Sequence, residues 1–171
     1  MFSEFLQYLF TGATIGATYA LIALGFTLIY NASHVINFAQ GEFVMIGGMT
    51  TVALTGMGMP MIVAVVLAVI LASVLGLALQ RLAIAPAKQA DVVTLIIITI
   101  GASIFIRGIA QVVWGKEYHS MPNFSATQSL EVFGAVLNSQ SLWVFGIGAV
   151  LVVALVLFFT RTLSGKAILA T

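Results

Sequence analysis

Residues 5–41 and 43–80 contain no Asp, Glu, Lys or Arg, and the single formal charge between the two stretches is Glu42. Charged residues are 6% of the chain and hydrophobic residues 61%, where soluble domains carry about 25% charge. A water-facing surface cannot be built from that inventory, so the solvent for most of the chain is lipid. In lipid every backbone polar group must pair internally, which leaves helices or a closed barrel. Barrel strands read as alternating segments of ~10 residues. The apolar runs here are long and do not alternate, so the sequence predicts an all-α fold, a polytopic transmembrane helical bundle.

The same inventory excludes several function classes. A net charge of +1 gives no basis for nucleic-acid binding, and with no cysteine there is no disulfide or thiolate chemistry. The two histidines, His34 and His119, are far apart in sequence and make a poor metal site. The N-terminal Met1-Phe-Ser-Glu4 lacks the basic region of a signal peptide and the first apolar run is too long for one, so it is expected to remain as a span.

A spanning helix needs about 20 residues. Tyr8–Tyr30, Met61–Gln80, Val92–Trp114 and Ser141–Thr160 meet that length, the second starting just after the breaker Gly56-Met-Gly-Met-Pro60. Between the first two lies Asn31–Thr55. Its apolar part, Phe43–Thr55, makes about 20 Å of helix, too short to cross. Extended back to Ile36 it is long enough but buries Asn37, Gln40 and Glu42. About five membrane segments are expected, the second broken or re-entrant. Irregular backbone at membrane depth survives only against protein or a water-filled cavity.

Basic residues set the orientation. Arg81 and Lys88 flank the short loop Arg81–Asp91, and Arg161 and Lys166 follow the last span. By the positive-inside rule both segments are cytoplasmic. Residues 115–140 are then external, and five crossings put the N-terminus outside; a re-entrant second segment reverses that last assignment.

An ionisable residue within apolar sequence marks a pathway, a gate or a paired structural site. Glu42 closes the polar run Asn31, Ser33, His34, Asn37, Gln40. Two readings stand together: a gate or path lining, or a carboxylate held at the N-terminus of the segment that follows. Asn37 and Gln40 are suited to satisfying loose backbone groups and are path candidates with Glu42. Arg107 lies ~16 residues into its span; it either snorkels outward or lines an external vestibule with Gln111, one turn later on the same face. Gly12, Gly16 and Ala20, and Ala68, Ala72 and Gly76, form small-residue rows that admit close helix packing.

The run Gly16-Ala-Thr-Tyr-Ala-Leu-Ile-Ala-Leu-Gly-Phe-Thr-Leu-Ile-Tyr30 followed by Val35-Ile-Asn-Phe-Ala-Gln-Gly-Glu42 closely resembles the smaller of the two permease types of branched-chain amino-acid ABC importers. Gln80-Arg-Leu-Ala-Ile-Ala-Pro86 is similar to the family's E-R-x-x-x-x-P cytoplasmic loop, with Gln80 where Glu is usual. Ile98-Thr-Ile-Gly-Ala-Ser-Ile-Phe105 is similar to its T-I-G-x-S-x-x-L helix. Arg161-Thr-Leu-Ser-Gly-Lys-Ala-Ile-Leu-Ala-Thr171 resembles the start of its ATPase-coupling segment, R-T-x-x-G-x-A-x-R-A, with Leu169 where Arg is common.

The resemblance covers essentially the whole chain and implies one transmembrane permease domain over residues 1–171. It makes Arg161, Thr162, Gly165, Lys166, Ala167 and Ala170 the coupling candidates. It implies a multi-pass protein of the bacterial inner membrane that moves branched-chain or related amino acids. The implied partners are a second permease subunit, two ATP-binding subunits and a periplasmic substrate-binding protein. No cofactor, metal or covalent catalysis is called for. Gly165-Lys166 is followed by Ala167, so no P-loop is present and ATP hydrolysis belongs to a partner. Family chains continue through several more helices, so an N-terminal fragment truncated within residues 161–171 is expected. The alternative is a polar-lined channel or facilitator without ATP coupling, which needs no ATPase-docking segment.

Overall fold

The structure, a computed structural model, describes residues 2–87, 89–121, 130–132, 135–137, 139–163 and 165. It is a helical bundle: α1 (Phe2–Ser33), α2 (Gln40–Gly56), α3 (Met61–Leu79), α4 (Val92–Trp114) and α5 (Ser139–Arg161). Four of these, all except α2, are long and apolar enough to cross a membrane. The chain is a multi-pass membrane protein. Its large apolar side chains face outward, Val112 at 87% exposure and Ile62 at 79% among them, as a lipid solvent requires. Hydroxyls within the helices bond back to the preceding turn: Thr14 to the Phe10 carbonyl, Thr27 to Ala23, Thr51 to Gly47, Ser73 to Val69 and Thr160 to Val156. No lipid-facing hydroxyl in that set is left to find water.

The helices divide into two compact units. One holds α1, α5 and a short antiparallel ribbon between α4 and α5, β1 (Leu130–Val132) with β2 (Ala135–Leu137), in which Glu131 lies opposite Val136. This ribbon has no sequence counterpart in the expected spans. Val136 turns both its backbone groups to α1: its N–H donates to Gln7 Oε1 at 2.7 Å and its carbonyl accepts from Gln7 Nε2 at 3.0 Å. A side-chain amide thus completes the outer edge of the ribbon as a neighbouring strand would. Lower down, Gly148 of α5 sits beside Leu21 of α1, with 3.5 Å left for a Cβ.

The other unit holds α2, α3 and α4. The breaker at 56–60 works as a helix stop: Gly58 takes φ +87, its N–H bonds the Thr55 carbonyl, and the Met59 N–H bonds the Leu54 carbonyl. That pair of bonds is a Schellman motif, which closes the open carbonyls of α2. Pro60 then leads into α3. After this four-residue turn α2 packs chiefly on α3, and less extensively on α4. The buried residues of α3 are Ala64 and Ala68, a one-turn repeat of methyl groups that lets the α2 backbone come close. The small row Gly12–Gly16 of α1 has no such use within the chain: an added Cβ meets nothing within 4 Å at either glycine among the described residues.

Residues 81–87, expected as part of a loop, are helical. Past Leu79 the chain makes a π turn over Gln80–Ile84 and a 3-10 turn over Ala85–Ala87. Pro86 explains the change of pitch. It has no N–H and its ring opposes a regular α ladder, and the Ala85 N–H reaches back five residues to Gln80. Asp91 then starts α4, accepting from the Thr94 hydroxyl at 2.5 Å.

Candidate functional site

Residues 34–39 leave the helical path between α1 and α2. His34 sits at φ +53, the left-handed region that non-glycine residues seldom occupy. The backbone groups of this segment find partners nearby. Asn37 Oδ1 accepts the Ala39 N–H at 3.0 Å, the Asn37 carbonyl accepts the Gln40 N–H, and the Ala39 carbonyl accepts the Glu42 N–H. Asn37 and Ala39 are buried. The Ile36 carbonyl accepts the hydroxyl of Thr99, a fully buried residue of α4, at 3.3 Å.

Six residues further on, in the first turn of α2, Glu42 is 5% exposed. Its Oε1 accepts from Ser103 Oγ at 2.9 Å and from Arg107 Nη2 at 2.5 Å. The carboxylate is buried and the guanidinium is not: the Arg107 side chain is 59% exposed and that of Glu42 6%. Burying an unpaired carboxylate is costly, and a hydrogen-bonded cation reduces the cost. Thr99, Ser103 and Arg107 stand four residues apart, one face of α4, and together they fasten the irregular segment and the head of α2.

This contact fixes depth. Ser103 and Arg107 are about 17 to 23 Å along α4 from Val92, at 1.5 Å per residue. Glu42 and the start of α2 therefore lie well inside the membrane, and α2 is a part-length helix of about 26 Å. Irregular backbone at that depth survives only against protein or a water-filled cavity, and here α4 supplies the partners.

The sequence profile of a family described as branched-chain amino acid transport system / permease component matches residues 8–171. The chain belongs to that family. It is 33% identical, over 97% of its length, to LivH of Salmonella typhimurium, a high-affinity branched-chain amino acid transport system permease protein. Identity is 32% to LivH of Escherichia coli and 31% to BraD of Pseudomonas aeruginosa, which carry the same description. The chain spans 58% of the length of these relatives. No solved structure matches it.

Within this permease-family chain the structure brings together Asn37, Gln40, Glu42 and Arg107 around the head of α2. Gln40 is its first residue and half-buried. Gln111 is exposed, and its carbonyl receives the Gly115 N–H that ends α4. Asn37 serves the backbone of Ala39, and the side-chain partners of Glu42 come from α4, as Ser103 and Arg107. Sequence reasoning linked Arg107 forward to Gln111 and missed Ser103 and Thr99, though both stand in the quoted T-I-G-x-S run at the same four-residue spacing.

On the same face of α2, two turns beyond Glu42, the buried Thr50 hydroxyl has no partner among the described residues. Of the coupling candidates, Arg161 ends α5, Thr162 Oγ1 accepts the Gly165 N–H at 3.0 Å, and Gly165 lies against the α5 end. A Cβ on Gly165 would collide with the Phe158 carbonyl oxygen and come 2.7 Å from Phe159 Cα. Lys166, Ala167 and Ala170 lie outside the described residues.

Proposed function

We propose that the chain is a permease subunit of an ABC importer. It forms part of the path for branched-chain or related amino acids in the inner membrane. A periplasmic binding protein delivers the substrate, a second permease subunit completes the path, and two ATP-binding subunits power it. The observation that carries this reading is the continuous family match over residues 8–171, joined to a broken helix whose buried carboxylate pairs with an exposed guanidinium. The path or gate residues are Asn37, Gln40, Glu42 and Arg107, with Gln111 toward the outer end. Arg161, Thr162, Gly165, Lys166, Ala167 and Ala170 belong to the coupling segment. The chain carries no catalytic role of its own; hydrolysis resides on the ATP-binding partners.

The test is leucine uptake into proteoliposomes holding the full-length protein with its partner subunits. ATP-dependent accumulation that needs the binding protein is the expected result. Leucine flux down its gradient without ATP would replace this reading with a facilitated channel, and no amino-acid flux at all would overturn the substrate class.

A further inference from the structure

We propose that Glu42 and Arg107 hold the two charges of an α-amino acid zwitterion, the carboxylate of Glu42 taking the substrate's ammonium and the guanidinium of Arg107 its carboxylate. This rests on the importer reading and deepens it, since it names the atoms that make the site selective for amino acids as a class.

The pair is only half used. Ser103 and Arg107 both bond the same oxygen of Glu42, Oε1. Among the described residues nothing donates to Oε2. Arg107 has five N–H donors, and its one partner among the described residues is Glu42, reached through Nη2 alone. Arg–carboxylate pairs frequently close as a two-pronged fork, and this one does not. Here the remaining donors stand on the 59% exposed side chain, while the carboxylate is fixed from behind by Ser103 and by its place in the first turn of α2. One acceptor oxygen and an open fork, already adjacent, match the ammonium and carboxylate that an amino acid carries on a single Cα.

Charge balance supports the match. A zwitterion leaving water loses hydration at two opposite charges, and each must be met by its counter-charge to keep the cost small. Substrate bound here closes a ring of four charges with alternating sign, and the net charge of the site stays at zero before and after binding. An amine or a carboxylic acid alone leaves one member of the ring unmatched. The side chain is not read by either group, so this point selects the amino-acid head and leaves side-chain choice to other contacts.

The experiment is arginine modification of wild-type protein by phenylglyoxal, read by peptide mass spectrometry. It uses membranes that hold the full-length chain with its partner subunits and no binding protein. At ten times its half-protecting concentration, leucine slows modification of Arg107 about tenfold by mass action, while Arg81 is unaffected. Isoamylamine, which lacks the carboxylate, and 4-methylpentanoate, which lacks the ammonium, give no protection at that concentration. In Glu42→Gln the half-protecting leucine concentration rises about tenfold or more, the loss of one charge-assisted contact. Equal protection by leucine and 4-methylpentanoate would reduce the site to an anion contact and overturn the proposal. Leucine uptake without protection of Arg107 overturns it too and leaves the importer reading standing. Protection without uptake does the reverse. The three-solute comparison on wild-type protein decides the matter even if Glu42→Gln fails to fold.

Discussion

At Glu42 the deciding quantity is the cost of a carboxylate that is 5% exposed. Arg107→Gln takes away its cation and leaves the charge buried, so folded yield falls. Adding Glu42→Gln to the same chain restores much of it, because two amides can hydrogen-bond without a charge to desolvate. Fluorescence-detected size exclusion of tagged protein measures both. Full yield of Arg107→Gln alone would mean that Glu42 does not depend on α4. Charge alone marks Glu42 and Arg107 in the sequence, since each interrupts an apolar stretch. Their pairing was not legible, because the partners are 65 residues apart in the chain and nothing local couples them. The repeat Thr99, Ser103, Arg107 was readable as one helix face. It carried no sign of what that face meets, and a hydroxyl in a membrane helix commonly bonds its own preceding turn, as Thr14 and Ser73 do.

Among the elements, the α2–α3 hairpin depends on one glycine and two alanines. Gly58→Ala forces a Cβ into φ +87 and costs about 1 to 2 kcal/mol, seen as a lower apparent unfolding midpoint in detergent. Ala68→Leu puts an isobutyl group where α3 is 3% exposed and costs about 1 to 3 kcal/mol by overpacking. Ile62→Leu, on the outward face, leaves the midpoint unchanged. Equal behaviour of the Ala68 and Ile62 variants would deny that α2 covers α3 there. At the end of α5, Gly165→Leu displaces the chain from Phe158 and Phe159; in the assembled transporter it abolishes substrate-stimulated ATP hydrolysis with normal membrane insertion. Unaltered stimulation would remove Gly165 from the coupling segment. Span α4 was legible to the residue, since Asp91 and Gly115 punctuate both ends. The helical continuation over 80–87 was not. Arg81 and Pro86 are signals of a loop, and a π turn that absorbs a proline leaves no periodicity to read. The start of α2 was open between Ile36 and Phe43 because its polar residues fit either an irregular segment or a helix end; the cap bonds around Asn37 and Ala39 settle it at Gln40.

For the molecule as a whole, depth and orientation constrain each other. The positive-inside rule applied to Arg81 and Lys88 predicts a cytoplasmic α3–α4 connection, and on that prediction α4 runs outward from Val92. Thr99 is the eighth residue of that helix, about 11 Å from its inner end at 1.5 Å per residue. Its bond to the Ile36 carbonyl holds Ile36 in the inner half of the membrane. Ser33, the last residue of α1, is three residues before Ile36, at most about 11 Å of chain. With 32 residues, about 48 Å of helix, α1 is long enough to cross the bilayer. An external N-terminus is the prediction that follows when α2, though it begins part-way through the bilayer, counts as a crossing. On the same prediction a part-length α2 that rises from Glu42 to the Gly58 turn delivers the chain to the outer side, where α3 starts its return. Single cysteines test this with membrane-impermeant maleimide in intact cells and in inverted vesicles. Cysteine at Ser3 and at Tyr118, a fully exposed residue after α4, is labelled from outside, and cysteine at Gln89 from the cytoplasmic side alone. Labelling of Ser3 and Gln89 from the same side would show that α1 does not cross as described, and the depth assigned to Glu42 would then have to be redrawn.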